Sequence, residues 1–381
     1  MVRFKALRVT FHKVHIEIRA QDPCKSNECD SFSGLTTYQI LTPKVMKTYS
    51  FFVGIDVSKE TLDFALIIKN AVQFHLQVTN DKQGINEFIK QAKKFDKQFS
   101  FENSLFCMEH TGIYNNPLLN YLYPKKAHIW LEQAIQIKAS MGVFREKNDK
   151  IDAQKIGLYA YKNREDVKLW IPKRKIIIEL DRLTALRDRL VKVIKQLNTP
   201  LSDAEKIVDK KMLKSEKTLC QNSIESLKKD LRAIEQKIKE LIELDPVLNE
   251  LFTIVKSVKG VGPVIATEVL ITTNEFKDIN NPKKYACYSG FAPFEHSSGK
   301  YKGKSKTSNK ANKKVKALFH NGAMAAIQHC AEIKAYYNRK IKDGKHHMVV
   351  VNNICNKLVH RIFACISRRE KYEENYKQIL V

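Results

Sequence analysis

Asp56 closes a run of apolar residues and glycine, Phe51-Phe52-Val53-Gly54-Ile55. A carboxylate there is costly to bury unless a cation or hydrogen-bond donors compensate it. Glu109 repeats the device after Leu105-Phe106-Cys107-Met108, just before a His-Thr-Gly turn. Both stand at the carboxyl ends of expected strands, where ligands of open α/β sheets collect. Asp149 and Asp152, three apart in Lys147-Asn148-Asp149-Lys150-Ile151-Asp152-Ala153, share one face of an expected helix. Four carboxylates from two strand ends and one helical turn can hold a pair of hard divalent cations, which would clamp the attacking and leaving oxygens of an in-line phosphoryl transfer. Each also has an ordinary reading, Asp56 and Glu109 as caps of the following turns, Asp149 and Asp152 as partners of Lys147, Lys150 and Lys155. Their joint occurrence in this order favours the metal site. Asp63, close after Asp56 in Glu60-Thr61-Leu62-Asp63, is read as a solvent-facing residue of the second strand rather than a ligand.

A second constellation is Tyr288-Ser289-Gly290-Phe291-Ala292-Pro293-Phe294-Glu295-His296-Ser297-Ser298-Gly299, followed by eight lysines and no acid between Lys300 and Lys316. A serine hydroxyl becomes a useful nucleophile toward a phosphodiester once a base or metal assists it and nearby cations hold the phosphate. Ser-Ser-Gly is also a common loop, and the residues alone leave both readings open. Lys300, Lys302, Lys304, Lys306, Lys310, Lys313 and Lys314 read as a phosphate-tracking segment, with a solvated loop as the alternative. Upstream, Val258-Lys259-Gly260-Val261-Gly262-Pro263 joins two apolar helices as in a helix-hairpin-helix, and the turn at Gly260 and Gly262 can offer backbone N–H groups to a phosphate. It can equally be only a turn.

The whole-chain balance agrees with a polyanionic partner. Its 381 residues carry 67 Lys and Arg against 41 Asp and Glu, a formal charge of +26 at pH 7. Each lysine or arginine that neutralises a phosphate releases condensed counterions, so nucleic acid is the expected partner. With 43 % hydrophobic residues the chain can bury real cores, which excludes wholesale disorder. No apolar run is long enough to span a membrane and the N-terminus lacks the apolar stretch of a signal peptide, so a cytosolic protein without a membrane partner is expected. Eight cysteines without paired C-x-x-C spacing suit reduced thiols better than disulfides or a zinc cluster.

Positioning falls to the elements. Residues 1 to 45 lack a lasting apolar period and read as a disordered or non-native extension, with Met46 as the expected start. From Phe51 to about Asp166 the order is strand, strand, strand, helix, strand, helix, strand, helix. This predicts an α/β domain with a mixed sheet of the ribonuclease-H-like kind over 46–168. Leucines and isoleucines spaced by three and four over 169–250 predict two long amphipathic helices, punctuated by Pro200 and Pro246, that form a helical hairpin or coiled coil. A mostly helical domain with the serine and the basic loop follows over 251–340, and a last helix over 341–381.

Gly54-Ile55-Asp56-Val57-Ser58-Lys59, Met108-Glu109-His110-Thr111-Gly112-Ile113-Tyr114, Lys147 to Ala153, and Gly290-Phe291-Ala292-Pro293 with Ser298-Gly299 together resemble the insertion-sequence transposases of the IS-one-ten family, from about Met46 to about Tyr337. The resemblance implies a DEDD recombinase guided by a bridge RNA. By motif it places the magnesium ligands on Asp56, Glu109, Asp149 and Asp152, most naturally two Mg2+ for which Mn2+ can substitute. It places a serine nucleophile on Ser298, with Ser297 adjoining. It further implies donor and target DNA and a noncoding guide RNA as partners, dimers that pair into tetramers with composite sites, and a bacterial cytosolic setting. Two other readings remain: a resolvase-like endonuclease with no covalent step, and an inactive nucleic-acid-binding derivative. Arg145, Lys147 and Lys150 join the lysine run as candidate nucleic-acid contacts.

Overall fold

A computed structural model describes Thr10–Phe11, Val14–His15, 48–140, 148–295, 297–299, 301–303, 305–308 and 310–374. Apart from a two-residue ladder pairing Thr10–Phe11 with Val14–His15, the expectations for residues 1 to 45 lie outside the described residues, as do those for Arg145, Lys147, Lys300 and Lys304 and for the side chains of Lys302 and Lys306. The chain divides into two compact units, Met1–Ile171 and Pro172–Val381.

The first unit is built on strands β1 (Phe51–Val57), β2 (Thr61–Ile68), β3 (Ala71–Thr79), β4 (Ser104–Glu109) and β5 (His128–Glu132). They form one mixed sheet in the order β3-β2-β1-β4-β5, antiparallel from β1 to β3 and parallel from β1 through β4 to β5. This arrangement is compatible with the expected ribonuclease-H-like fold. Lys69 and Asn70 turn β2 into β3 with φ of 49° and 65°, the left-handed pair that a tight hairpin needs. Helix α1 (Lys82–Phe95) is capped by Asp81, which accepts from Gly84 N–H at 2.8 Å. It buries Ile85, Phe88, Ile89 and Ala92 on one sheet face, with Phe88 stacked on Phe64 at 4.1 Å between ring centroids. α2 (Asn116–Leu122) covers the same face.

The opposite face belongs to α4 (Asp149–Lys162), which follows α3 (Ala134–Ser140). Ala153, Ile156, Tyr159 and Ala160 of α4 pack on Phe52, Ala65, Ile67, Leu105, Cys107 and Trp130. Helix and strand approach so closely that a Cβ on Gly54 would lie 2.1 Å from the carbonyl of Ala153 and 2.2 Å from the amide of Gly157, while one on Gly157 would lie 2.6 Å from Ile67. Only residues without side chains fit on both surfaces.

In the second unit α5 (Lys175–Asp203) and α6 (Lys210–Leu244) run antiparallel, tied by Arg187 Nε to Glu235 Oε1 at 2.8 Å. α5 runs through Pro200 to Asp203, a correction to the expected break: the proline lies inside the helix, where it costs the one bond its missing N–H would have made, and the helix ends three residues later. Pro246 does punctuate, as the first residue of α7 (Pro246–Ser257). The base of the hairpin is part of the unit's own core, Ile177, Leu180, Ile238 and Ile242 joining residues of α7, α8 (Pro263–Thr273), α9 (Pro282–Tyr288), α10 (Lys313–His329), α11 (Ala331–Lys342) and α12 (His347–Arg368). Arg174 clamps this junction, donating to both Asp245 oxygens at 2.7 and 3.1 Å and also pairing with Glu275. Among the described residues α12 alone is long and apolar enough to cross a membrane, yet Val350, Val351, Ile354, Leu358, Val359 and Ile362 are fully buried as the centre of the unit's core. The six cysteines among the described residues are free thiols.

Overpacking a close helix–strand contact costs about 1–3 kcal/mol. Gly54→Ala is therefore expected to lower the urea midpoint of the first unit with an unchanged slope. An unaltered midpoint would show that α4 can lift from the sheet without loss.

Candidate active site

The register of the sheet decides which carboxylates meet. Asp56 of β1 lies directly opposite Asp63 of β2, and Glu109 of β4 is paired with Glu132 of β5. Opposed residues project from the same face. For Asp56 that is the face of Gly54, under α4; for Glu109 it is the face of Leu105 and Cys107, also under α4. Asn148 caps α4 by accepting from Lys150 N–H at 3.0 Å, so the helix opens at Asp149 and carries Asp149 and Asp152 in its first turn. The positive end of the helix dipole favours carboxylates there. Burial, and then the negative charges of Asp149, Asp152, Asp63 and Glu109, push Asp56 up from 3.8 to about 6. All four sequence-selected carboxylates are thus electrostatically linked at one end of the sheet.

Asp63 is not solvent-facing as the sequence reading had it. It is 3 % exposed, and its two oxygens accept from His75 Nε2 at 2.7 Å and Gln77 Nε2 at 3.1 Å. Both partners come from β3, so strand pairing, not the local sequence, satisfies this carboxylate. Glu132 is a residue the sequence reading missed, although Ile129-Trp130-Leu131-Glu132 repeats the carboxylate-after-apolar-run signal. It accepts from Tyr159 OH of α4 at 3.3 Å. Asn115, 1 % exposed, was also missed. Its Oδ1 accepts from Thr111 N–H at 2.7 Å and its Nδ2 donates to the Glu109 carbonyl at 3.0 Å, which braces the turn after Glu109.

Among the described residues no three His, Cys, Asp or Glu side chains already stand close enough to enclose an ion. Asp152 accepts from Lys155 Nζ at 2.8 Å, so part of its charge is locally compensated. The donor set nevertheless fits a divalent cation: hard oxygen ligands, mutually repelling, with Asp56 pushed up to about 6 by burial and by the carboxylates around it.

In the second unit Ser298 is exposed near the tip of a small basic arm. Strand β6 (Pro293–Phe294) pairs with β9 (Lys306–Thr307), and β7 (Ser297–Ser298) with β8 (Tyr301–Lys302). Gly299, at φ 55°, starts the turn between β7 and β8. The two ends of the arm are held together where Asn312 donates from its backbone to Tyr288 O at 2.8 Å and from Nδ2 to Tyr288 OH at 2.7 Å. Lys310 and Lys313 are exposed, as a phosphate contact requires. Lys314 is different: its Nζ lies 2.8 Å from Asp188 Oδ2 and 2.6 Å from Glu268 Oε2. Burial opposes its charge, but these two carboxylates outweigh that and raise its pKa, so it is committed to the fold. Gly260, at φ 90°, is needed because a Cβ would meet Gly322 O of α10 at 2.6 Å, whereas Gly262 caps α8 in open space.

Residues 53–204 match the DEDD transposase family model of IS110 elements, described as "Transposase", and residues 252–338 match the model of the "Transposase IS116/IS110/IS902 family". The two matches cover well over half of the chain and enclose both constellations. The chain belongs to the IS110 family of transposases. The transposase is 24 % identical over 333 residues to a pilin gene-inverting protein of Moraxella bovis, covering 86 % of this chain and 98 % of that one. It is 25 % identical over 152 residues to the IS110 uncharacterized 43.6 kDa protein of Streptomyces coelicolor, 40 % of this chain and 36 % of that one. Its family makes it a DNA-recombination enzyme, and a DEDD transposase implies a divalent metal.

The raised Asp56 has a consequence for stability. The folded transposase holds this proton more tightly than the unfolded chain, so Asp56 contributes declining stability as pH rises from 3.8 to about 6. In chelator-treated protein, Asp56→Asn should therefore unfold at higher temperature than wild type at pH 7, with the gap closing toward pH 4. A gap independent of pH would remove Asp56 as a focus of repulsion.

Proposed function

We propose that this transposase cuts and rejoins donor and target DNA of its own insertion sequence by a metal-assisted, covalent phosphoryl transfer. The observation that carries the reading is the convergence of Asp56, Glu109, Asp149 and Asp152 on one end of the sheet, with Asp56 held at about 6 by burial and by its neighbours. These four residues would hold Mg2+, two ions in the fullest arrangement, with Mn2+ as a substitute. When bound, the metal supplies Lewis acidity to the scissile phosphate and stabilises charge on the leaving oxygen.

The chain's own residues do the rest. Ser298 Oγ attacks phosphorus, its proton passing to solvent or a nearby base, and a P–O bond to the leaving sugar oxygen breaks as that oxygen takes up a proton. A hydroxyl of the incoming strand then attacks the phosphoserine, the serine leaves, and the DNA bond is restored without ATP. Lys302, Lys306, Lys310 and Lys313, together with Lys300 and Lys304, track phosphate, and the amides at Gly262 add a sequence-neutral contact. Guidance by a noncoding bridge RNA, assembly as dimers and tetramers with composite sites, and action in the bacterial cytosol rest on the family resemblance alone.

The purified protein, incubated with the transcript flanking its gene, labelled donor and target DNA and Mg2+, should yield a covalent protein–DNA adduct on a denaturing gel. Ser298→Ala should abolish the adduct, and Asp56→Ala or Asp152→Ala should reduce it by at least about 100-fold, in the range seen when a main transition-state stabiliser is removed. Cleavage that persists in Ser298→Ala without an adduct would instead establish a resolvase-like nuclease that uses water.

A further inference from the structure

Tyr301 lies directly across the β7–β8 ladder from Ser298. Facing residues in an antiparallel pair project from the same side with Cβ atoms about 4.5–5.5 Å apart, so Tyr301 and Ser298 stand side by side on one face of the arm. Tyr301 is 71 % exposed. Other tyrosines of the unit are engaged: Tyr285 with Tyr288, Tyr336 with Lys357, Tyr337 with His347, Tyr372 with Arg361. Among the described residues no ring or cation packs on Tyr301. Phe294, at the base of the same arm, is 45 % exposed. Lys300 and Lys302 flank Tyr301 in the sequence, Lys304 and Lys306 follow, and Lys306 is the register partner of Phe294. Aromatic faces interleaved with cations are what unpaired nucleic acid needs, bases stacking on the rings while the backbone follows the charge.

We propose that Tyr301 stacks on an unpaired base adjoining the phosphate that Ser298 attacks, and so positions that phosphate for the serine. The inference rests on the proposed role of Ser298. A base inside a duplex has both faces occupied, so the ring finds a free face only where the strands have opened, as strand exchange requires. Tyr301 is then a positioning residue acting through the base, and its ring rather than its hydroxyl matters. Loss of one stacked base corresponds to roughly 5- to 100-fold weaker engagement.

The test uses the full chain with its flanking transcript, Mg2+ and element-end duplexes that carry 2-aminopurine at successive positions across the junction. In the Ser298→Ala background, where chemistry is blocked, one position should show a fluorescence change that Tyr301→Ala abolishes and Tyr301→Phe keeps. In the Ser298 background, adduct formation should fall roughly 5- to 100-fold in Tyr301→Ala and remain near wild type in Tyr301→Phe and Tyr301→Trp. A fluorescence change indifferent to Tyr301→Ala overturns the proposal, as does a Tyr301→Phe variant impaired as badly as Tyr301→Ala. If Ser298→Ala still forms the adduct, the serine assignment fails by itself, while a Tyr301-dependent fluorescence change continues to support the stacking contact.

Discussion

The backbone-to-backbone approach of Gly54 to Ala153 and Gly157 governs the first unit. A carboxylate on a strand and a carboxylate on a helix can act on one ligand only if the two elements come close at the right height, and side chains would hold them apart. Here the strand has no Cβ at the crossing and the helix has none where it passes Ile67. The consequence runs upward along the helix: with Gly157 seated on the sheet, the Asn148-capped first turn falls at the carboxyl end of β1 and β4, beside Asp56 and Glu109. The apolar contacts of Ala153, Ile156 and Ala160 then make that placement stable.

The price of this closeness is electrostatic. Burial, and then the charges of Asp149, Asp152, Asp63 and Glu109, move the acidity of Asp56. The fold relieves some of the strain with neutral or cationic donors, His75 and Gln77 for Asp63 and Lys155 for Asp152. Among the described residues none donates a hydrogen bond to the Asp56 carboxylate. A protein with a formal charge of +26 thus concentrates negative charge in one place, which is an arrangement that favours a cation there.

In the second unit the same chemistry is sorted by depth. Lys310 and Lys313 reach solvent, whereas Lys314, next in the chain, is drawn between Asp188 and Glu268 and anchors the start of α10. That anchor and the Asn312–Tyr288 hydrogen bonds hold both ends of the basic arm on a rigid core. Ser298 lies exposed on this short two-stranded arm, which needs such a fixed base because an isolated two-stranded hairpin is only marginally stable in water.

Much of this was legible from residue types alone. The order of elements along the first unit and the two long helices follow from apolar periodicity, Asp56 and Glu109 stood out from the cost of placing a charge at the end of an apolar run, and Asp149 and Asp152 from their spacing on one helix face. So did the surplus of cations that implies a polyanion. What the linear pattern could not decide was the company each residue keeps. Asp63 looked solvated because its compensation comes from His75 and Gln77 on a neighbouring strand, and only the β2–β3 register brings them to it. Glu132 was overlooked although its signal was visible. Lys314 was indistinguishable from the lysines before it until Glu268, far away in the sequence, was folded beneath it. Gly260 was singled out for its backbone N–H groups, and nothing in the linear pattern showed that its lack of a side chain is also required by the crossing with α10. Local propensity and the burial of charge are written in the order of residues. Which charges meet, and which glycines are required by contact, depends on tertiary approach between segments distant in the chain.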